Sequence, residues 1–306
     1  MGGGSRVDLS LRIKGIEFKN PIVIASGPLG FGEEFFKYIS SSFIGGFTTK
    51  TITLNPVIGN KPPRLVYVED GLLNSIGLQN PGLDAFIINY APHLPESCVR
   101  IISVGGEKAE DFARVTEGVD SFADMIEINL SCPNVGGQTI VSDLKSAKAV
   151  VSACRKSTKK PLIAKLSPDE DPVIQARMAV DAGADVVNIG NSIQGARFNV
   201  DSGRPFLKNV KGGLSGPAFM PVILLKVYQI KDAFPDLPVI GLGGVRKAED
   251  IVEYAIAGAS LAGIGSSAMI NPDNVRIIYE NLQKFMDKRG FNFREMIGIA
   301  HRGGFV

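Results

Sequence analysis

The sequence predicts an α/β protein folded as a (β/α)8 TIM barrel, and three observations carry that reading. Eight short β-branched runs alternate with eight amphipathic stretches along the 306-residue chain. The runs are continuously apolar, the mark of strands buried on both faces in a parallel sheet covered by helices. The first of them ends in Ala25-Ser26-Gly27-Pro28, so the Gly-rich loop that would open a doubly wound sheet is missing.

Taken in order, strands are expected at residues 21–26, 46–50, 99–105, 125–131, 162–167, 186–191, 239–243 and 261–265. Helices are expected at 32–41, 83–91, 107–118, 142–157, 171–182, 218–233, 247–257 and 271–288. Eight such units in about 250 residues match a closed barrel. No low-complexity tract, charge run or Pro/Ser linker divides the chain, so residues 1–306 read as a single domain with residues 1–5 disordered. Residues 191–216 are the longest connection without an obvious helix, expected to be a lid or pocket wall on the C-terminal face.

Composition narrows the function. Hydrophobic residues at 44% and charged residues at 21% lie in the ordinary globular range, in a chain long enough to bury a core without disulfides. Thirty-three basic against 31 acidic residues give a charge of +2, which excludes a nucleic-acid footprint. The three cysteines, Cys98, Cys132 and Cys154, include no CxxC pair, which argues against disulfides, zinc or an iron–sulfur cluster and fits a reducing cytoplasm. The chain start lacks the features of a signal peptide, and no apolar run nears the roughly 20 residues of a membrane helix. A cytoplasmic protein without membrane or nucleic-acid partners is expected.

In such barrels the chemistry sits where the strands end at their C-terminal side. Ser26, Lys50, Asn129 with Cys132 and Asn134, Lys165, and Asn191 with Ser192 stand there. The last two strands end instead in Gly243-Gly244 and Gly265-Ser266. Two Gly-rich turns leading into helices make a nest of backbone amides for a phosphate, although such glycines also serve simple tight turns. Lys50 and Lys165, with no acidic residue at the other strand ends, point to an anionic ligand or to a cofactor that gains negative charge; a surface snorkel is the bland alternative for either.

Cys132 follows the fourth strand beside Pro133, where a thiol titrating near about 8.5 serves as nucleophile or general base. A nucleophile would want a histidine, and His93 and His301 lie away from the strand ends. Cys98 and Cys154 read as buried thiols. Asn74, Asn129, Asn134 and Asn191 each offer a donor and an acceptor, which suits the amide or imide edge of a pyrimidine-type ring.

These residues resemble the class 1 dihydroorotate dehydrogenases. The likeness runs from Asn20-Pro21 to about Met269 and is most specific in Asn74-Ser-Ile-Gly-Leu-Gln-Asn-Pro-Gly82, Asn129-Leu-Ser-Cys-Pro-Asn134 and Gly212-Gly-Leu-Ser-Gly-Pro217. Ala25-Ser26-Gly27, Ala164-Lys165-Leu166, Gly241-Leu-Gly-Gly244 and Ile264-Gly265-Ser266 support it. The resemblance implies a (β/α)8 barrel carrying FMN, a flavoprotein oxidoreductase that converts (S)-dihydroorotate to orotate in de novo pyrimidine biosynthesis. It implies Cys132 as the base at ring carbon 5, with the hydride on carbon 6 passing to the flavin. Substrate contacts are implied for Lys50, Asn74, Ser75, Ile76, Gly77, Leu78, Asn129, Asn134, Asn191 and Ser192. FMN contacts are implied for Ala25, Ser26, Lys50, Thr51, Asn129, Lys165, Gly190, Gly216, Gly243, Gly244, Gly265 and Ser266, with Lys165 at the N1–C2 oxygen edge that becomes negative on reduction.

The motifs look closer to the NAD-linked branch, whose partner subunit carries FAD and an iron–sulfur cluster. That implies a homodimer, alone or within a heterotetramer. The loop through Val135-Gly136-Gly137-Gln138 is a little shorter than is usual there, and the chain lacks the membrane-binding extension of the quinone-linked class. Two other readings share features with this one. A dihydropyrimidine dehydrogenase-like flavoenzyme acting on uracil or thymine has the same barrel and Asn-Leu-Ser-Cys-Pro run, and a non-catalytic barrel binding a phosphate ligand would keep the glycine turns alone.

Overall fold

The computed structural model describes residues 7–131 and 143–305. The chain opens with a hairpin, β1 (Leu11–Ile13) and β2 (Ile16–Phe18). Its two-residue turn, Lys14-Gly15, holds both φ angles positive at 48° and 85°, the mirror-image turn whose twist matches that of the strands. The sequence expectation omits this hairpin, although the alternating burial of Leu9, Leu11 and Ile13 and the glycine turn are its usual signals.

Eight parallel strands then close a barrel, as expected. They are β3 (Ile22–Ile24), β4 (Gly46–Thr48), β7 (Val99–Val104), β8 (Met125–Asn129), β9 (Leu162–Leu166), β10 (Val186–Ile189), β13 (Val239–Leu242) and β14 (Leu261–Ile264). Neighbours pair in this order, and Ala262 opposite Ile22 seals the ring between β14 and β3. Apart from Arg100 every residue in these strands is buried, which is why they read as unbroken apolar runs. The outer layer is α1 (Leu83–Asn89), α2 (Ala109–Val119), α3 (Leu144–Ser157), α4 (Pro172–Asp181), α5 (Met220–Ala233), α6 (Ala248–Ala257) and α8 (Asn274–Arg289). A short extra helix, α7 (Ser266–Ile270), follows β14, and α9 (Phe293–Met296) ends the helical series.

Two expectations need correction. Residues 32–41 do not form a helix; they hold only tight turns at Phe35–Lys37 and Ser41–Phe43. Ser40 is extended and its hydroxyl accepts the Ser42 N–H, so it starts a new turn instead of continuing one. Phe36 meanwhile packs edge-on against Phe47 at 5.0 Å, favouring aromatic contact with the barrel over helical geometry. The stretch 191–216 is not a loop either. It contains β11 (Ile193–Ala196) and β12 (Lys211–Ser215), joined to β6 (Gly71–Asn74) and β5 (Leu65–Val68) in an antiparallel sheet ordered β11-β12-β6-β5. Its strands lie in the connections that follow β4 and β10, so this sheet stands on the C-terminal face and forms a wall there.

At the opposite end two aspartates staple adjacent strands. Asp124, one residue before β8, accepts the Arg100 N–H at 2.8 Å and its Nη2 at 2.9 Å. Asp185, one residue before β10, accepts the Leu162 N–H at 2.9 Å and Arg155 Nη1 at 2.9 Å.

Candidate active site

A neutral hydrogen-bonded rim crosses the C-terminal mouth. Asn191, after β10, donates through Nδ2 to the Ser131 hydroxyl, which donates to Asn129 Oδ1 at 2.9 Å. Asn129 Nδ2 donates in turn to Thr51 Oγ1 at 3.0 Å. Thr51 ends the run against Ser103 Oγ at 3.0 Å and Ser26 Oγ at 3.4 Å. At the other end the Ser192 N–H donates to Asn191 Oδ1 at 2.8 Å. Residues from five strand ends are therefore one network, in which Ser131 and Ser103, assigned no role from the sequence, join residues implied separately for substrate and cofactor. Asn129 still has one N–H and one Oδ1 lone pair to offer a ring amide.

The two lysines stand as the sequence places them. Lys165 is the register partner of Asn129 on one side and Asn188 on the other, so its side chain enters the barrel beside theirs. It is 5% exposed and, among the described residues, makes no hydrogen bond or ion pair, an arrangement that asks for an anionic partner. Lys50 donates its backbone N–H to Gly30 O at 2.8 Å. Burial, with the Arg64 guanidinium nearby, holds its ammonium below the ordinary lysine range. One layer deeper lies an acid that inspection of strand ends misses. Glu127 is 1% exposed and accepts Asn188 Nδ2 at 2.7 Å, leaving its Oε1 and Asn188 Oδ1 without partners.

The segment after β6 is held from below. Asn74 Nδ2 donates to Gly213 O at 3.1 Å, tying it to β12. Asn60 donates to Ser75 O at 3.1 Å and Ser75 Oγ at 3.0 Å, and its N–H reaches Ile76 O at 2.9 Å. Asn80 Nδ2 fixes Leu78 O at 2.8 Å, and Leu78 sits at φ 52°, a strained position for a non-glycine residue that this tether sustains. Arg64 Nη1 donates to Gln79 Oε1 at 2.8 Å from the same side. Asn60, Arg64 and Asn80 are thus supports that sequence reasoning misses; only Asn80, inside the quoted motif, gave a signal. Ser192 approaches Gly213 so closely that a Cβ there would stand 2.0 Å from its hydroxyl.

The glycine ends behave differently. After β13, Gly243 and Gly244 take consecutive positive φ angles of 146° and 76°, turning the backbone amides sharply. After β14, Gly265 begins α7 with no side-chain cap, beside Ala25, whose N–H bonds Ile264 O at 2.9 Å. Gly190 abuts Leu242 and Gly216 abuts Asp70, each too closely for a side chain. Loops after the last two strands with a short extra helix make the barrel's customary phosphate position.

Cys132, Asn134 and the loop through Gln138 lie outside the described residues, as do residues 1–5. Cys98 and Cys154 are buried free thiols; burial pushes them to about 12 and about 11, too high to react. His301 stacks on Tyr228 and its ring reaches Ala257 O, far from a strand's C-terminal end. Among the described residues no helix is long and apolar enough to cross a membrane.

The chain is 39% identical over 289 residues to the "Dihydroorotate dehydrogenase B (NAD(+)), catalytic subunit" of Pelobacter propionicus, covering 92% of this chain and 95% of the relative. The subunits of the same name from Geotalea uraniireducens and Desulforudis audaxviator are 39% identical (95% of this chain, 97% of the relative) and 37% identical (98% and 99%). A crystal structure of the Eimeria tenella dihydroorotate dehydrogenase with ferulenol superposes with a TM-score of 0.80, over 96% of this chain and 89% of that one. At 24% identity it speaks for the barrel alone. The family model for dihydroorotate dehydrogenase matches residues 8–286, nearly the whole barrel with its polar rim and glycine turns, and the chain belongs to that family.

Proposed function

We propose that the chain oxidises (S)-dihydroorotate to orotate in pyrimidine biosynthesis, with FMN as its cofactor. One observation carries this reading: a rim of neutral amides lies beside two lysines that have no acidic partner among the described residues. The amides match the edges of a pyrimidine ring, and the cations match a carboxylate and a reduced flavin. When bound, FMN supplies the acceptor for the hydride that leaves carbon 6. Cys132 removes the proton from carbon 5, a step suited to a thiol whose ordinary value lies within reach of neutrality.

Asn129, Asn191, Asn134 and Asn74 hold the ring, with Ser75 and Ser192 at its border. Lys50 and the backbone of Ile76, Gly77 and Leu78 receive the carboxylate. Lys165 sets its positive charge where the flavin ring becomes negative on reduction, preorganised by burial. Ser26, Ala25, Thr51 and Gly190 border the flavin ring, and Gly216, Gly243, Gly244, Gly265 and Ser266 surround the phosphate. The relatives' designation as a catalytic subunit supports a partner. We assign it the role of electron acceptor, an FAD and iron–sulfur subunit on a homodimer of this chain, in the cytoplasm.

The test is anaerobic. Purified full-length protein is expected to be yellow and to bleach with dihydroorotate but not with dihydrouracil. A colourless protein that takes up no FMN, or equal bleaching by dihydrouracil, would overturn the reading.

A further inference from the structure

We propose that Tyr254, on α6, is the positioning residue that aims the Gly244 amide at the cofactor phosphate; the inference rests on the phosphate assignment above and adds a residue outside the mouth. Tyr254 is wholly buried, and its hydroxyl donates to Gly243 O at 2.7 Å. That carbonyl and the Gly244 N–H belong to one planar trans peptide and point in opposite directions. Drawing the carbonyl outward to α6 therefore turns the N–H inward, toward the C-terminal mouth. A peptide flanked by two glycines has little preference of its own, and Gly244 follows it at φ 76°, a conformation that side chains other than glycine's rarely take. The tyrosine is the fixed point.

The sequence is built to admit that ring. A Cβ on Gly241 would lie 2.3 Å from Tyr254 Cδ1, so the ring rests directly on the glycine backbone. At Gly243 itself a Cβ would stand 3.4 Å from Ile223 of α5 and 3.9 Å from the Tyr254 hydroxyl. Burial, with Asp250 and Glu253 nearby, raises the phenol well above its ordinary value, so the hydroxyl remains a proton donor throughout the working range. The motif Gly241-Leu-Gly-Gly244 and Tyr254 are thus a single device: one glycine seats the ring, and the ring orients the peptide between the next two.

The test uses the full-length chain titrated with FMN and with riboflavin, followed by quenching of flavin fluorescence. Wild-type protein is expected to prefer FMN. Tyr254→Phe keeps the ring and removes only the donor, so FMN is expected to weaken about tenfold while riboflavin binds as before. Equal weakening of both flavins would mean that the tyrosine only packs, and no weakening would mean that the amide needs no tether; either result overturns the proposal. A wild-type protein without preference for FMN overturns the phosphate assignment, and this proposal with it. Should Tyr254→Phe fail to fold, Tyr254→Met, which also removes the donor and adds no atom against Gly241, is expected to give the same loss for FMN alone, and equal loss for both flavins would overturn the proposal.

Discussion

At the N-terminal end of the barrel, Asp124 and Asp185 each hold a guanidinium and the backbone N–H of a neighbouring strand. At the C-terminal end, groups from Ser192 to Ser26 satisfy one another without any charge, while Lys50 and Lys165 lack acidic partners among the described residues. The floor spends its charges on itself, and the mouth keeps its charges for something else. A buried or half-buried cation left unpaired costs stability, so a fold retains it only where a ligand or reaction needs it. The same chain thus separates holding its shape from doing chemistry, and substitutions at the two ends should fail differently.

The largest effect is expected at the proposed base. Cys132→Ser should slow flavin bleaching by dihydroorotate at least about 100-fold at neutral pH and move the rate profile to higher pH, because a hydroxyl is a far weaker acid than a thiol. Urea unfolding should be unchanged. Next comes the floor, with the opposite signature. Asp185→Asn removes the charge beside Arg155 Nη1, while Nη2 keeps the Thr158 and Lys160 carbonyls, and about 1–2 kcal/mol should be lost in urea titrations while the bleaching rate of the folded fraction stays the same.

Smaller effects sharpen the contrast through pH. Burial alone would raise Asp124, but the hydrogen bonds and charge of Arg100 prevail and hold it below the ordinary carboxylate value of about 3.9. A lowered carboxyl adds stability above its unfolded value and loses it as pH falls through the folded one. Wild-type protein should therefore lose stability in that acid window, and Asp124→Asn should show a gentler slope there. At the mouth, Arg64→Gln removes a charge that helps to depress Lys50, so the alkaline rise in KM for dihydroorotate should move to higher pH, with kcat little changed. An alkaline limb that does not move would dissociate Lys50 from the carboxylate.

How much of this was legible in the sequence follows from the same division. All eight barrel strands lie inside the expected segments because strands covered on both faces must be apolar throughout, a signal each one carries alone. The four-stranded wall carried no such signal. Its strands are mostly not buried, Lys211–Ser215 is partly exposed and rich in glycine, and Gly213 finds its partner at Asn74, far away along the chain. The tight turns at 35–43 were hidden because amphipathic spacing there serves aromatic packing instead of a helix. At the mouth, residues that end strands were readable from position. Asn60 and Arg64 were not, because they act from a loop on a neighbouring loop, and Glu127 was not, because it sits a layer below the ends.

The rim described above has a sense of direction. From Asn191 to Ser131, Asn129 and Thr51 every proton is handed the same way, so each amide has one acceptable orientation, set by its predecessor. Nothing in this run is free to flip when a planar ring arrives; the pattern of donors and acceptors it will meet is already written. Losing Ser131 would free the Asn129 amide to turn over against the Thr51 hydroxyl, while the Ser192 N–H still holds Asn191, and that part of the mouth would present oxygen as readily as nitrogen. Discrimination at this surface is stored in the order of the run, beyond any one of its members.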